Sequence, residues 1–159
     1  MIIIHMGGAI LNANKRIDSR EVVRRFLDDV KHLLMSPEFD RHQDFYIKLI
    51  KHNEDPLDPF TTQNTVIELE FDSADVIDVI LSLELDHYLE TVIDDKPNET
   101  LPFFAFIKTI EQREVYIKIK LRSGLRSTVF CVSFHFARYP IKTKRPNQRQ
   151  KEEPWKTTD

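Results

Sequence analysis

The chain has 159 residues, a net charge of −3, a hydrophobic content of 41% and one cysteine. That length suits one hydrophobic core and one domain. No apolar run approaches the roughly 20 residues of a membrane span, and MIIIHMGGAIL is too short and poorly flanked for a signal peptide. Cys131 cannot form an internal disulfide, so a cytoplasmic setting is the default expectation.

The charge is unevenly spread. Residues 51–100 carry roughly −12 and residues 101–150 roughly +9. A basic C-terminal third suits a polyanion such as RNA; two halves that pack and neutralise each other fit equally well. No Cys/His spacing suggests zinc, and the carboxylates of residues 68–99 lack the spacing of a calcium loop. No metal or cofactor is expected.

Residues 1–16 show no clear period, are broken by Gly7-Gly8, and read as a lead-in. Asp18 followed by Glu21 is a capping-box variant, and Val22, Val23, Phe26, Leu27, Val30, Leu33 and Leu34 recur at helical spacing. These predict a helix from about Ser19 to Met35, ended by Ser36-Pro37. Alternation from Asp44 to His52 predicts a strand, and NEDPLDPF a loop. Two short helices follow, one from about Thr62 to Glu70 and one starting near Asp72-Ser73. Leu85 to Thr100 is polar and acidic and reads as a loop.

Phe103 to Ile110 predicts a strand, with Glu111-Gln112-Arg113 as a short connection into the stretch EVYIKIKLRSGLRSTVFCVSFHFA. In that stretch Val115, Ile117, Ile119 and Leu121 alternate with Tyr116, Lys118, Lys120 and Arg122. Phe130, Val132, Phe134 and Phe136 alternate with Cys131, Ser133, His135 and Ala137. Pairing the two apolar rows puts Leu121 opposite Phe130, Ile117 opposite Phe134, Tyr116 opposite His135 and Lys118 opposite Ser133. The three-residue connection places Lys108 opposite Tyr116, on the face of His135. Residues 141–159 lack any period and read as a basic, disordered tail.

The expected architecture is α+β: helices packed on an antiparallel sheet that ends in a three-stranded meander, in one domain over residues 17–140. The segments Asn64–Glu70, Asp75–Leu83, Asp86-His87-Tyr88, Phe104–Lys108, Val115–Ile119 and Val132–His135 follow one another in an order that resembles the MqsR family of toxins, as a Firmicutes-type member. That family lies within the wider RelE-like ribonuclease toxin group. The resemblance covers about Arg20 to Ala137 and rests on the succession of the segments.

The resemblance implies a type II toxin: a ribosome-independent endoribonuclease that cuts single-stranded mRNA and is held inactive by a cognate antitoxin protein. The family's catalytic tyrosine falls on Tyr116, and its last-strand lysine falls on His135. A family lysine falls on Leu89, which cannot donate a proton. A family glutamine has no clean counterpart, Lys108 being the nearest polar residue.

Metal-free RNA cleavage needs a base for the 2′-hydroxyl proton, an acid for the leaving 5′-oxygen and cations for the phosphate. His135, with a reference pKa near 6.5, suits the acid or base role. Tyr116 suits phosphate positioning or, were its reference pKa near 10 perturbed, a share in proton transfer, and Lys118 joins them as a catalytic candidate. Lys108, Lys120, Arg122 and His87 are candidates for binding RNA. Each has a plainer reading: a packing tyrosine, the wet side of a half-buried sheet, an incidental loop histidine. Cys131, placed on the His135 face with no base beside it, reads as inert. The alternative function is a non-catalytic RNA- or protein-binding module on the same fold.

Overall fold

Val23, Phe26, Leu27, Val30 and Leu34 return at three- and four-residue intervals, and Arg20–Leu34 forms helix α1 with all five buried. The computed structural model describes residues 10–12, 14–93, 101–141 and 145–147. The cap of α1 is Ser19, whose hydroxyl accepts from the Val22 amide at 3.3 Å. Asp18, the expected cap, is taken up elsewhere: its carboxylate accepts from Arg16 Nε and from the Thr91 hydroxyl.

Helices α2 (Thr62–Leu69) and α3 (Ser73–Leu81) follow the expected pair. Thr61 caps α2, and Glu70 ends it in a left-handed conformation. Asp72 and Asp75 form a reciprocal capping box at the start of α3.

The strands are β1 (Ile10–Asn12), β2 (Lys15–Arg16), β3 (Phe45–Ile47), β4 (Tyr88–Val92), β5 (Phe103–Ile110), β6 (Arg113–Arg122) and β7 (Thr128–Phe136). Among the described residues they form one seven-stranded sheet in the order β1-β2-β4-β5-β6-β7-β3. Every pairing is antiparallel except β3 on β7, which is parallel. The class is α+β, and the expected all-antiparallel sheet is instead mixed. No short turn joins β3 to β7, so nothing forces the two to run in opposite directions.

Strand β4 was hidden in the sequence, and β3 is shorter than expected. Tyr88–Val92 is buried at all five positions, so it shows no apolar–polar alternation, and a short 3-10 turn over Leu85–His87 leads into it. Strand β3 is three residues long, far shorter than the alternation from Asp44 to His52. The expected lead-in lies outside the described residues as far as position 9; its end supplies β1 and β2. The expected tail lies outside them too, apart from residues 141 and 145–147.

All three helices contribute to the core on one face of the sheet. Phe26 of α1 stacks on Phe104 at 3.9 Å, and Phe106, Ile117, Ile119, Phe134 and Phe136 complete a continuous buried cluster. Helix α2 guards the edge of β7 beyond the end of β3. The Thr62 and Thr65 hydroxyls accept from the Phe134 and Phe136 amides, both at 3.1 Å. These bonds fix the backbone on either side of His135. No helix among the described residues is long and apolar enough to cross a membrane.

Two local features reset which residues share a face. The β5–β6 connection has two residues, Glu111 and Gln112, both at positive φ (49° and 67°), as a type I′ hairpin turn requires. Ile110 therefore pairs with Arg113 and Ile107 with Tyr116, while Lys108 pairs with Val115. The expected three-residue connection was one residue too long, and a one-residue slip moves Lys108 to the helix face.

The second feature is a bulge in β7 at Val132. Below it Tyr116 pairs with His135, Ile117 with Phe134 and Lys118 with Ser133, as expected. Beyond it Ile119 pairs with Cys131, Lys120 with Phe130 and Leu121 with Val129. The extra residue reverses the alternation. Cys131 and Val129 thus enter the helix-side core, and Phe130 turns to the far face, correcting both expected placements.

Candidate active site

The far face of β6 presents Tyr116, Lys118, Lys120 and Arg122 in a row, since alternate residues of a strand share a face. Beside them β7 contributes His135, Ser133 and, past the bulge, Phe130. From β5 come Phe103, Ala105 and Ile107, all buried, and from β4 comes Glu90.

His135 and Tyr116 form the centre. Their rings lie 5.5 Å apart, centroid to centroid, with planes inclined at 31°. His135 Nδ1 is 3.1 Å from the Phe136 carbonyl oxygen, which can only accept, so Nδ1 carries the hydrogen. Nε2 is left with a lone pair, the form a general base needs.

Burial pushes the imidazole pKa below its ordinary 6.5, and the Lys51 and Lys118 cations add to that, against a smaller opposing pull from Phe136 and Glu54. The imidazole is therefore neutral at pH 7. Burial, with help from the Glu90 carboxylate, pushes the Tyr116 phenol well above its ordinary 10, so its hydroxyl stays protonated and donates. Glu90 is itself buried and paired with Lys15 at 3.3 Å.

The cations differ in setting. Lys118 is half-buried, with its ammonium 5.5 Å from the Phe103 ring centroid. Lys120 is fully buried, 4.5 Å over the same ring, with the Leu101 carbonyl oxygen at 3.5 Å. The Arg122 guanidinium lies 4.1 Å over Phe130, whose ring also stacks on Tyr46 at 5.3 Å.

Two of the expected RNA contacts are elsewhere. Lys108, on the helix face, donates to the Ser82 hydroxyl at the end of α3. His87 lies on that side as well; its Nδ1 accepts from the Glu84 amide at 2.9 Å, and Lys108 and Arg145 are among the charges acting on it. Neither joins the His135 group. Leu89 is buried in a bulge between Tyr88 and Glu90. Cys131 is buried, with its thiol pushed up to about 12 by burial, and is not a nucleophile at neutral pH.

Three residues at this site stood outside the expected set. The Lys51 ammonium donates to the Ser133 hydroxyl at 2.7 Å, and Glu54 anchors the Lys51 backbone amide at 2.7 Å. The parallel pairing of β3 with β7 explains this. The chain leaving Ile47, which pairs with Cys131, runs the same way as β7 and brings Lys51 beside Ser133. No periodicity in KHNEDP could have shown it.

At the rim Asp58 pairs with Arg138, whose guanidinium lies 4.8 Å over Phe60. Among the described residues no group of three or more His, Cys, Asp or Glu side chains could hold a metal ion. The arrangement offers a neutral imidazole, a protonated phenol and ammonium groups on one sheet face, which suits proton transfer beside a bound anion. Comparison with family models, with curated proteins and with solved structures finds no match to this chain.

Proposed function

We propose that the chain is a metal-independent endoribonuclease acting on single-stranded RNA, with a RelE-like fold, and the toxin of a type II toxin–antitoxin pair. The observation that carries the nuclease reading is the His135–Tyr116 pair, set on one face beside Lys118. The toxin assignment rests on the resemblance of the ordered segments to the MqsR family.

His135 Nε2 takes the proton of a ribose 2′-hydroxyl as its oxygen attacks the adjacent phosphorus. The 2′-O–P bond forms, the P–5′-O bond breaks, and the 5′-oxygen leaves with a proton supplied by water. The products are a 2′,3′-cyclic phosphate and a free 5′-hydroxyl. Tyr116 donates a hydrogen bond to a non-bridging oxygen, and Lys118 offsets the charge developing there. Because the nucleophile is the 2′-hydroxyl, DNA is not a substrate.

Inducible expression tests the reading. It predicts growth arrest, relief by His135→Ala, and rescue by a small protein encoded beside this one. Undiminished toxicity in both His135→Ala and Tyr116→Phe rejects the site. Absence of both toxicity and RNA cleavage favours a non-catalytic binding module.

A further inference from the structure

The loop after β3 carries an ammonium group that the reading above does not use. Lys51 is half-buried, and its side chain reaches the far face at Ser133, two residues from His135 along β7. An ammonium has three donors. Among the described residues, Ser133 Oγ is its one hydrogen-bond acceptor, and no carboxylate forms an ion pair with it. Glu54, the nearest acid along the loop, accepts from the Lys51 backbone amide through one carboxylate oxygen, and its charge acts on the ammonium without an ion pair. A partly desolvated cation with donors to spare fits an anion better than it fits a structural ion pair.

The spacing suits a phosphate. Ser133 and His135 point the same way from a strand that rises about 3.3 Å per residue, so they stand about 7 Å apart. The Ser133 hydroxyl is buried and already accepts from Lys51, so a phosphate set against His135 would meet the Lys51 ammonium. Lys118 stands across from Ser133 on β6, with its ammonium 5.5 Å from the Phe103 ring centroid.

We propose that Lys51 binds the scissile phosphate between Ser133 and His135 and is a catalytic residue of this site, with Ser133 as the residue that positions its ammonium. The proposal rests on the ribonuclease reading.

Burial lowers the Lys51 pKa from 10.5, so its charged form is lost at a lower pH than that of an ordinary lysine. The groups facing it are Glu54 and Lys48 on its own loop, and Cys131, Ser133 and His135 on β7.

The test uses the full chain, a short fluorescent single-stranded RNA in EDTA, and its uncleavable 2′-deoxy counterpart as a binding probe. Lys51→Gln should lower kcat by about 10²–10³ while circular dichroism stays unchanged. Its binding to the 2′-deoxy strand should lose about 0.7 from the slope of log affinity against log salt, the share of one phosphate contact. Lys51→Arg should keep that slope and move the alkaline limb of the pH–rate profile upward, because a guanidinium does not deprotonate in this range.

Wild-type cleavage with Lys51→Gln within about twofold in rate and equal in salt slope overturns the proposal and leaves the ribonuclease reading standing. If Lys51→Gln fails to fold, Lys51→Arg decides, and an unmoved alkaline limb overturns the proposal. A wild-type chain that neither cleaves RNA nor binds the 2′-deoxy strand overturns both.

Discussion

The imidazole of His135 faces the phenol ring of Tyr116 across neighbouring strands, at 5.5 Å between centroids, while its Nδ1 is held by the Phe136 carbonyl. The two amides flanking His135 are tied in turn to Thr62 and Thr65 of α2. The ring is thus oriented by its own strand, and the strand by a helix.

In the proposed reaction His135 is the base, and its working range can be stated. Its pKa lies below 6.5, so the neutral form accumulates as pH rises through that lowered value. Cleavage should rise with pH along an acid limb whose midpoint is under 6.5. His135→Ala should cost about 10²–10⁴ in rate, the usual contribution of a general base. Stability follows the same sign: the unfolded chain takes up the proton first, so folding weakens as pH falls below 6.5 through the lowered pKa. A titration of the ring followed by NMR, beside the pH–rate profile, checks both.

Tyr116→Phe separates the hydroxyl from the ring. The phenol is held protonated through and beyond neutral pH, so its loss should lower kcat by about 10-fold or more without shifting the acid limb. A shifted acid limb with an unchanged plateau would mean that Tyr116 only tunes the His135 pKa and takes no part in the reaction.

The β5–β6 turn should be improvable. Glu111 and Gln112 both adopt positive φ, where a side chain costs about 1 kcal/mol or more per residue. Replacing the pair by Asn-Gly, the sequence this turn type prefers, should stabilise the fold by about 1–2 kcal/mol with activity unchanged. Urea denaturation gives the number; a loss of stability would contradict the two-residue turn and with it the placement of Lys108.

Asp44 and Arg126 supply an acid-sensitive clamp between the start of β3 and the β6–β7 loop. Arg126 donates from Nε and one terminal nitrogen to the two carboxylate oxygens, at 2.7 and 2.6 Å, holding the Asp44 pKa down at about 2. Stability from this pair is present above the unfolded value of 3.8 and is lost as pH falls through about 2. Thermal melts of Arg126→Ala should show a lower Tm at pH 7 and a flatter dependence on pH below 4 than wild type.

Periodicity exposed α1, α2, α3 and the strands β5, β6 and β7, because each has one apolar face against the shared core. It placed β3 within the stretch from Asp44 to His52 but could not show that only Phe45–Ile47 form the strand, and it could not expose β4, which is buried at every position. The pairing of Tyr116 with His135 was legible because Ile117 and Phe134 must share the core between them. The register past Val132 was not, since nothing in TVFCVSF marks which residue bulges. Lys108 was misplaced by a single residue of turn length. Lys51 was invisible because only the return of a loop along β7 brings it to Ser133.

The most direct measurement incubates the purified chain with a single-stranded RNA in EDTA and identifies the product ends, alongside the 2′-deoxy strand and His135→Ala. The account predicts a 2′,3′-cyclic phosphate and a 5′-hydroxyl from RNA, an intact 2′-deoxy strand, and cleavage lost with His135. Equal cutting of the 2′-deoxy strand, or full activity in His135→Ala, would contradict it.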